Sequence, residues 1–206
     1  MNKESFMHLW AKTHGLEAPT GIVKSWLTVS FYCARICTRL RISANFLTLL
    51  GVVVAALMVT YPLSLWCIPL LVFSLFCDGI DGSVAMYQNR QSAWGAVLDS
   101  VADRISEALW LFVAYKIGVP AWTAILMWLI ASTQEYMRAR ISSLGMREID
   151  IVTPAERPMR ASFLFIALVA FHLGIDLVLY AAYIFLLIQL VSIALVARNS
   201  YRALKS

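Results

Sequence analysis

The chain is dominated by apolar runs that approach or exceed the length needed to cross a membrane. Of its 206 residues, 61% are hydrophobic and only 14% are charged. A membrane-spanning helix needs about 20 mostly apolar residues, and the breaks between runs leave six candidates. The predicted spans are 43–60, 62–86, 93–115, 119–141, 161–174 and 177–197. The sequence therefore predicts an all-α integral membrane protein with six transmembrane helices.

The segment before the first run is mixed in character. Residues 20–42 carry four basic side chains among apolar ones, a pattern typical of an amphipathic helix that lies on a membrane surface. We therefore predict two parts. Residues 1–42 form a cytoplasmic N-terminal segment with this helix, and residues 43–206 form the transmembrane domain.

The basic residues predict the orientation of the spans. Outside the spans, Lys and Arg precede the first run, follow the sixth, or lie in the connections 87–92 and 142–160, whereas the alternate connections contain only Lys116. Since cytoplasmic loops are rich in Lys and Arg, both termini and these two connections are predicted to face the cytoplasm, in the cell membrane. The same distribution accounts for the net charge of +5, so no nucleic-acid partner is predicted.

Four aspartates interrupt the second and third runs, where each ionised side chain costs at least about 2.5–3.5 kcal/mol. At about 100° per residue, Asp78 and Asp81 lie about 60° apart on one helix. Asp99 and Asp103 lie about 40° apart on the next. The short link between these runs predicts an antiparallel hairpin, so the four carboxylates are expected to converge near the cytoplasmic side.

Converging carboxylates repel one another unless cations neutralise them. Oxygen ligands favour Mg²⁺, or Mn²⁺, over zinc, and four acids predict about two ions. Such a centre suits a diphosphate, whose oxygens bind the metals while a leaving group departs. An ion-coupled transporter is the alternative, because acids in membrane helices also serve ion or proton transfer.

The spacing of these residues resembles the signature of the CDP-alcohol phosphotransferases (CDP-alcohol phosphatidyltransferases), written D-x2-D-G-x2-A-R-x8-G-x3-D-x3-D. The chain matches it from Asp78 to Asp103, with Gly82, Ala85 and Gly95 in place. The stretch "SANFLTLLG", residues 43–51, is similar to the family's first-span entrance near the nucleotide.

The resemblance implies Mg²⁺-dependent transfer of a phosphatidyl group from CDP-diacylglycerol to the hydroxyl of a small polar acceptor, with release of CMP, by a homodimer in phospholipid biosynthesis. Asp103 would be the general base. The implied metal ligands are Asp78, Asp81 and Asp99 for one ion and Asp78, Asp99 and Asp103 for the other. The implied contacts to the donor nucleotide are Asn45, Thr48, Gly82 and Ser92.

Arginines cluster in residues 138–160, and they are predicted to bind a phosphorylated acceptor through forked hydrogen bonds. The alternative is that they only mark the cytoplasmic side. The segment "AERPMR" resembles the E-R-P-x-R stretch of bacterial phosphatidylinositol-phosphate synthases, which favours inositol phosphate; glycerol 3-phosphate, the acceptor of a phosphatidylglycerophosphate synthase, is second. The candidate acceptor ligands are Arg138, Arg140, Arg157 and Arg160.

One position departs from the family signature. Met86 stands where the family usually has arginine, so a charged contact to the donor is missing. Arg90 is expected to replace it only if the helix continues that far. The same departure raises the hypotheses of a weak enzyme, of an enzyme that uses a somewhat different donor, and of a catalytically inactive homologue that acts as a binding or assembly subunit.

Overall fold

The computed structural model of the protein describes residues 1–13, 18–144 and 153–205. Within these ranges the chain forms eight α-helices and no β-strand, which confirms the all-α class. The helices are α1 (Lys3–Thr13), α2 (Gly21–Arg39), α3 (Ala44–Thr60), α4 (Cys67–Tyr87), α5 (Ala93–Lys116), α6 (Ala121–Ser143), α7 (Arg157–His172) and α8 (Val178–Ala203).

Each of the six predicted spans coincides with one helix from α3 to α8. The largest differences are at α8, which ends at Ala203 rather than at residue 197, and at α4, which begins at Cys67 rather than at residue 62. The preceding residues form turns instead, closed by hydrogen bonds of 3.0 Å from Ser64 N to the Tyr61 carbonyl and from Cys67 N to the Ser64 carbonyl. Helix α1 was not predicted, because its residues form no apolar run.

Helix length and composition support membrane crossing for part of this set. α4 and α8 are long and apolar enough to span a bilayer, and α2 and α3 meet the requirement only as a pair that is bent by 106°. α3 has 17 residues and α7 has 16, fewer than the 20 or so that a straight span needs. The six-span count and the predicted orientation therefore stay predictions.

One compact unit of the chain comprises Met1–Val54 and Val72–Ile105. In it α2 packs against α4, with Ala34 and Cys37 in the same buried cluster as Ile80 and Val84. Gly79 allows an especially close approach, because a Cβ there would lie 2.8 Å from a ring carbon of Trp26. Helix α2 is thus seated on the part of α4 that carries the first two aspartates.

Helix α2 has two apolar faces. Leu27 and Phe31 are buried, whereas Ile22 is 89% exposed and Ile36 is 55% exposed. The buried face packs on protein, and the exposed one suits contact with lipid. The predicted helix is therefore confirmed as Gly21–Arg39, while its position on a membrane surface stays a prediction.

The second compact unit comprises Ala55–Leu71 and Ser106–Ser206. Here α8 packs against both α6 and α7, and the rings of Phe163 and Phe185 stack with their centroids 4.9 Å apart. The two units do not follow the predicted boundary at residue 42, and that boundary stays a prediction.

Candidate metal centre and polar cleft

Three aspartates bring their carboxylates together in the first unit. α4 supplies Asp78, and α5 supplies Asp99 and Asp103, one helical turn apart. One oxygen from each carboxylate lies within 4.8 Å of the other two, and all three side chains are half-buried. Since Mg²⁺ holds its ligands at about 2.0–2.1 Å, these oxygens need only a small inward movement to share an ion. We call these three residues the acid cluster.

The fourth aspartate has hydrogen-bond partners of its own. Asp81 is 6% exposed and lies outside the acid cluster. One carboxylate oxygen accepts a hydrogen bond of 2.5 Å from the Thr48 hydroxyl, and the other accepts one of 2.5 Å from the backbone N–H of Gly82. The structure thus brings three acids together and anchors Asp81 to α3, and the role of Asp81 as a metal ligand stays a prediction.

A cleft of about 230 Å³ lies beside these acids. Asp99 belongs both to its wall and to the acid cluster, and all four residues predicted to contact a nucleotide line it. We call it the polar cleft. Its wall comprises Ala44, Asn45, Thr48, Asp81, Gly82, Ala85, Arg90, Gln91, Ser92, Gly95, Ala96 and Asp99.

Small residues keep the cleft open. A Cβ on Gly82 would meet no atom within 4 Å, so this part of the wall is backbone facing empty space. At Gly95 a Cβ would lie 3.1 Å from the Ser92 hydroxyl and 3.5 Å from the Asn45 amide oxygen. The Ser92 hydroxyl also accepts a hydrogen bond of 3.0 Å from Gly95 N, so the start of α5 fixes this serine in the wall.

The condition that the sequence analysis set for Arg90, a helix that continues that far, is not met. Helix α4 ends at Tyr87, so it does not continue to Arg90, yet Arg90 lines the polar cleft. Met86 lies elsewhere, 4% exposed in a cluster with Phe6, Leu27 and Phe31. The missing signal was the turn at Asn89, which has a positive φ of 52°.

Two of the predicted acceptor arginines are held by glutamates in the second unit. Arg138 donates hydrogen bonds of 3.0 and 2.7 Å to Glu156. Arg160, buried at 8% exposure, donates one of 2.8 Å to Glu107 and one of 2.8 Å to the Ala155 carbonyl. Sequence reasoning gave these glutamates no role, because the partners lie 18 and 53 residues apart in the chain.

The other two arginines have different surroundings. Arg140 is exposed. The guanidinium of Arg157 lies 5.4 Å from the centroid of the Trp110 ring, a distance typical of a cation–π contact. The role of all four arginines in acceptor binding stays a prediction. Arg147, which belongs to the same stretch, lies outside the described residues.

With this geometry in place, comparison with known proteins identifies the family. The profile of the CDP-alcohol phosphatidyltransferases matches residues 41–196, about three quarters of the chain. The chain belongs to this family. The resemblance seen in the aspartate spacing is confirmed. Because the family is one of transferases, the prediction of an enzyme is confirmed too, and the transporter hypothesis is set aside.

The names of several relatives of this chain contain the words inositol phosphate. Archaetidylinositol phosphate synthase of Aeropyrum pernix is 36% identical over 129 residues, which cover 57% of this chain and 66% of that protein. Phosphatidylinositol phosphate synthase of Cutibacterium acnes is 31% identical over 144 residues, which cover 64% of this chain and 70% of that protein. The chain thus spans about two thirds of the length of these relatives.

Solved structures share the fold of this family member. Mycobacterium tuberculosis phosphatidylinositol phosphate synthase, in complex with manganese and citrate, matches with a TM-score of 0.67 and 19% identity over 84% of this chain and 88% of that one. The same synthase with CDP-DAG bound matches with a TM-score of 0.64 and 18% identity over 84% of this chain and 94% of that one. At such identities the likeness establishes the fold.

The bond between Arg138 and Glu156 predicts a pH-dependent stability. Burial alone would raise the pKa of Glu156, but hydrogen bonds from Arg138 and Thr153 outweigh it and lower the pKa from 4.5 to about 2. A lowered pKa stabilises the fold above about pH 4.5, and this contribution is lost as the pH falls toward 2. Since the side chain is 27% exposed, we expect about 1 to 3 kcal/mol at neutral pH.

Glu156→Gln should therefore lower the thermal unfolding midpoint at pH 7 by several degrees. Measured again at pH 3, the gap between the variant and the wild type should shrink, because at that pH Glu156 is protonated in the unfolded wild type and part of the stabilising contribution is lost. An equal gap at both pH values would contradict a stabilising charge on Glu156.

Proposed function

We propose that the protein transfers the phosphatidyl group of CDP-diacylglycerol to the hydroxyl of inositol phosphate, with release of CMP. The observation that carries this proposal is that the acid cluster and the polar cleft have a residue in common. Asp99 belongs to both, so a ligand in the cleft lies beside the acids. A relative from Cutibacterium acnes is named phosphatidylinositol phosphate synthase, and the same fold has been solved with CDP-DAG bound.

The acid cluster fits the predicted cofactor. Its donors are carboxylate oxygens, the ligands that Mg²⁺ and Mn²⁺ prefer, and a structure of the same fold contains manganese. We propose that Asp78, Asp99 and Asp103 hold one ion, and that Asp81 joins Asp78 and Asp99 in holding a second. When bound, divalent cations would neutralise and polarise the donor diphosphate.

The residues of the polar cleft would position the donor. Asn45, Thr48 and Ser92 offer amide and hydroxyl groups for the nucleotide, and the open backbone at Gly82 lets it approach closely. Thr48 also orients the Asp81 carboxylate by its hydrogen bond. The cleft would thus hold the nucleotide while the diphosphate reaches the acid cluster.

Asp103 would take the proton in the reaction. It belongs to the acid cluster but not to the wall of the polar cleft, which suits a base for the incoming acceptor better than a contact for the donor. As its carboxylate accepts the hydroxyl proton, the acceptor oxygen bonds to the β-phosphorus. The bond from that phosphorus to the bridging oxygen breaks, and CMP leaves with this oxygen.

The four arginines of the second unit would bind the phosphate of the acceptor. Glu156 and Glu107 hold Arg138 and Arg160 in fixed orientations, and a guanidinium has five N–H donors, so each can bind a carboxylate and a phosphate together. Arg140 and Arg157 would complete the set.

The distribution of basic residues supports a location and an orientation in the membrane. We propose that it lies in the cell membrane with its termini and active site on the cytoplasmic side, where the basic connections are expected. The exposed apolar face of α2 would contact membrane lipid, and a homodimer is the proposed assembly.

The test is an acceptor panel. Purified protein is incubated with CDP-diacylglycerol and Mg²⁺, and CMP release is measured with inositol phosphate, glycerol 3-phosphate, serine or inositol supplied separately. We expect rapid CMP release with inositol phosphate, loss of the reaction with EDTA, and recovery on addition of Mg²⁺ or Mn²⁺. Release with glycerol 3-phosphate alone would identify a phosphatidylglycerophosphate synthase instead, and no acceptor-dependent release would refute the transferase.

A further inference from the structure

Arg90 reaches the polar cleft through the turn that ends α4. Asn89 N donates to the Met86 carbonyl at 3.1 Å, and Arg90 N donates to the Ala85 carbonyl at 2.9 Å. With the positive φ of 52° at Asn89, these two bonds form a Schellman motif. The motif reverses the chain at the end of the helix, so residue 90 turns back to the wall that Ala85 also lines.

Side-chain bonds fix this turn in place. The Gln88 amide donates a hydrogen bond of 2.8 Å to the Ile42 carbonyl and one of 3.3 Å to the Thr38 hydroxyl, which ties the end of α4 to the end of α2 and the chain that follows it. Two residues beyond Arg90, Ser92 caps the start of α5. The backbone of Arg90 is thus held between two anchored points, and only its side chain must be ordered when a ligand binds.

The charges in the cleft indicate what Arg90 would bind. Asp81 and Asp99 make part of the wall negative, and Arg90 is the positively charged residue in the described wall. A guanidinium matches phosphate oxygens through paired, charge-assisted hydrogen bonds. Met86 is buried away from the cleft among aromatic and aliphatic side chains, so it offers no such contact.

We infer that Arg90 binds the diphosphate of the CDP-linked donor, at the end of the polar cleft formed by the α4–α5 turn. This inference rests on the proposed function, and it names a phosphate ligand outside the family signature. The chain thereby keeps a cation for the donor while the residue after Ala85 serves the packing of α1 and α2.

The test compares CDP affinity among matched variants in the presence of Mg²⁺, measured by calorimetry. Arg90→Ala should weaken CDP binding about tenfold or more, and Arg90→Lys should recover part of the loss because it keeps the charge. Arg39→Ala removes the same charge from the exposed end of α2 and should leave CDP affinity unchanged. Cytidine, which has no phosphate, should bind Arg90→Ala and the wild type equally.

Each outcome separates the two proposals. If the wild type releases CMP in the acceptor panel but Arg90→Ala binds CDP as tightly as Arg39→Ala does, the role of Arg90 is refuted and the proposed function stands. If Arg90→Ala loses affinity for inositol phosphate and keeps its affinity for CDP, the role of Arg90 in donor binding is refuted as well. If the wild type neither binds CDP nor releases CMP, the proposed function and this inference fail together.

Discussion

Asp103→Asn should lower the rate of CMP release by a factor of about 10² to 10⁴ and leave CDP binding nearly unchanged. Asparagine has the shape of aspartate, but its amide does not accept a proton from the acceptor hydroxyl at neutral pH. The donor should still bind, because Asp103 does not line the polar cleft. The measurement is CMP release at saturating CDP-diacylglycerol and Mg²⁺, together with calorimetry of CDP binding.

Two further variants make this result specific. Asp99→Asn alters a residue that the acid cluster and the cleft share, so it should weaken CDP binding and also slow turnover. Asp176→Asn removes an exposed carboxylate between α7 and α8 and should change neither. Normal turnover in Asp103→Asn would remove the base role, and a loss of CDP binding as large as in Asp99→Asn would show that Asp103 serves mainly the metal.

The order and approximate extent of α3 to α8 were predictable, because a helix is the low-energy conformation of a long apolar run in a membrane. The predicted helix ends were wrong where contacts of polar side chains determine the end. Helix α7 begins at Arg157 instead of residue 161, since two arginines that look unsuited to an apolar helix have interaction partners in the second unit. Arg160 pairs with Glu107, and Arg157 lies over the Trp110 ring.

The candidate site was predictable as far as it depends on helical spacing. Asp99 and Asp103 converge with Asp78 as the periodicity predicts, because both helices are regular there. The hydrogen bond from Thr48 to Asp81 was not predictable, since Thr48 lies 33 residues earlier in the chain. Such a contact depends on how α3 packs on α4, which no pattern within α4 contains.

The position of Arg90 in the wall of the polar cleft depends on a single backbone angle, the positive φ of Asn89. Asparagine is among the residues that most readily adopt a positive φ, so Asn89 was a possible helix terminator in the sequence. The hydropathy of the second run gave no reason to prefer a turn at Asn89 over a longer helix. The turn brings Arg90 to the wall of the polar cleft although α4 has already ended.

Met86→Arg, which restores the family signature, should destabilise the protein rather than activate it. Met86 is 4% exposed, in a cluster with Phe6, Leu27 and Phe31, and this cluster joins α1 and α2 to the end of α4. A guanidinium in such surroundings loses its hydration without gaining a carboxylate, at a cost on the order of 5 kcal/mol. That cost is comparable with the whole stability of many domains.

We expect a large fall in the thermal unfolding midpoint and in the yield of monodisperse protein, whereas Met86→Leu, which keeps volume and polarity, should cost less than about 1.5 kcal/mol. Activity is then compared per folded molecule, in wild-type and Arg90→Ala backgrounds. A gain in rate from Met86→Arg would mean that the site is degraded and that a charge at position 86 reaches the donor. Loss of stability with no gain in rate would mean that position 86 holds α1 and α2 in place. This result is expected if the cation that binds the donor is Arg90, in the turn after α4.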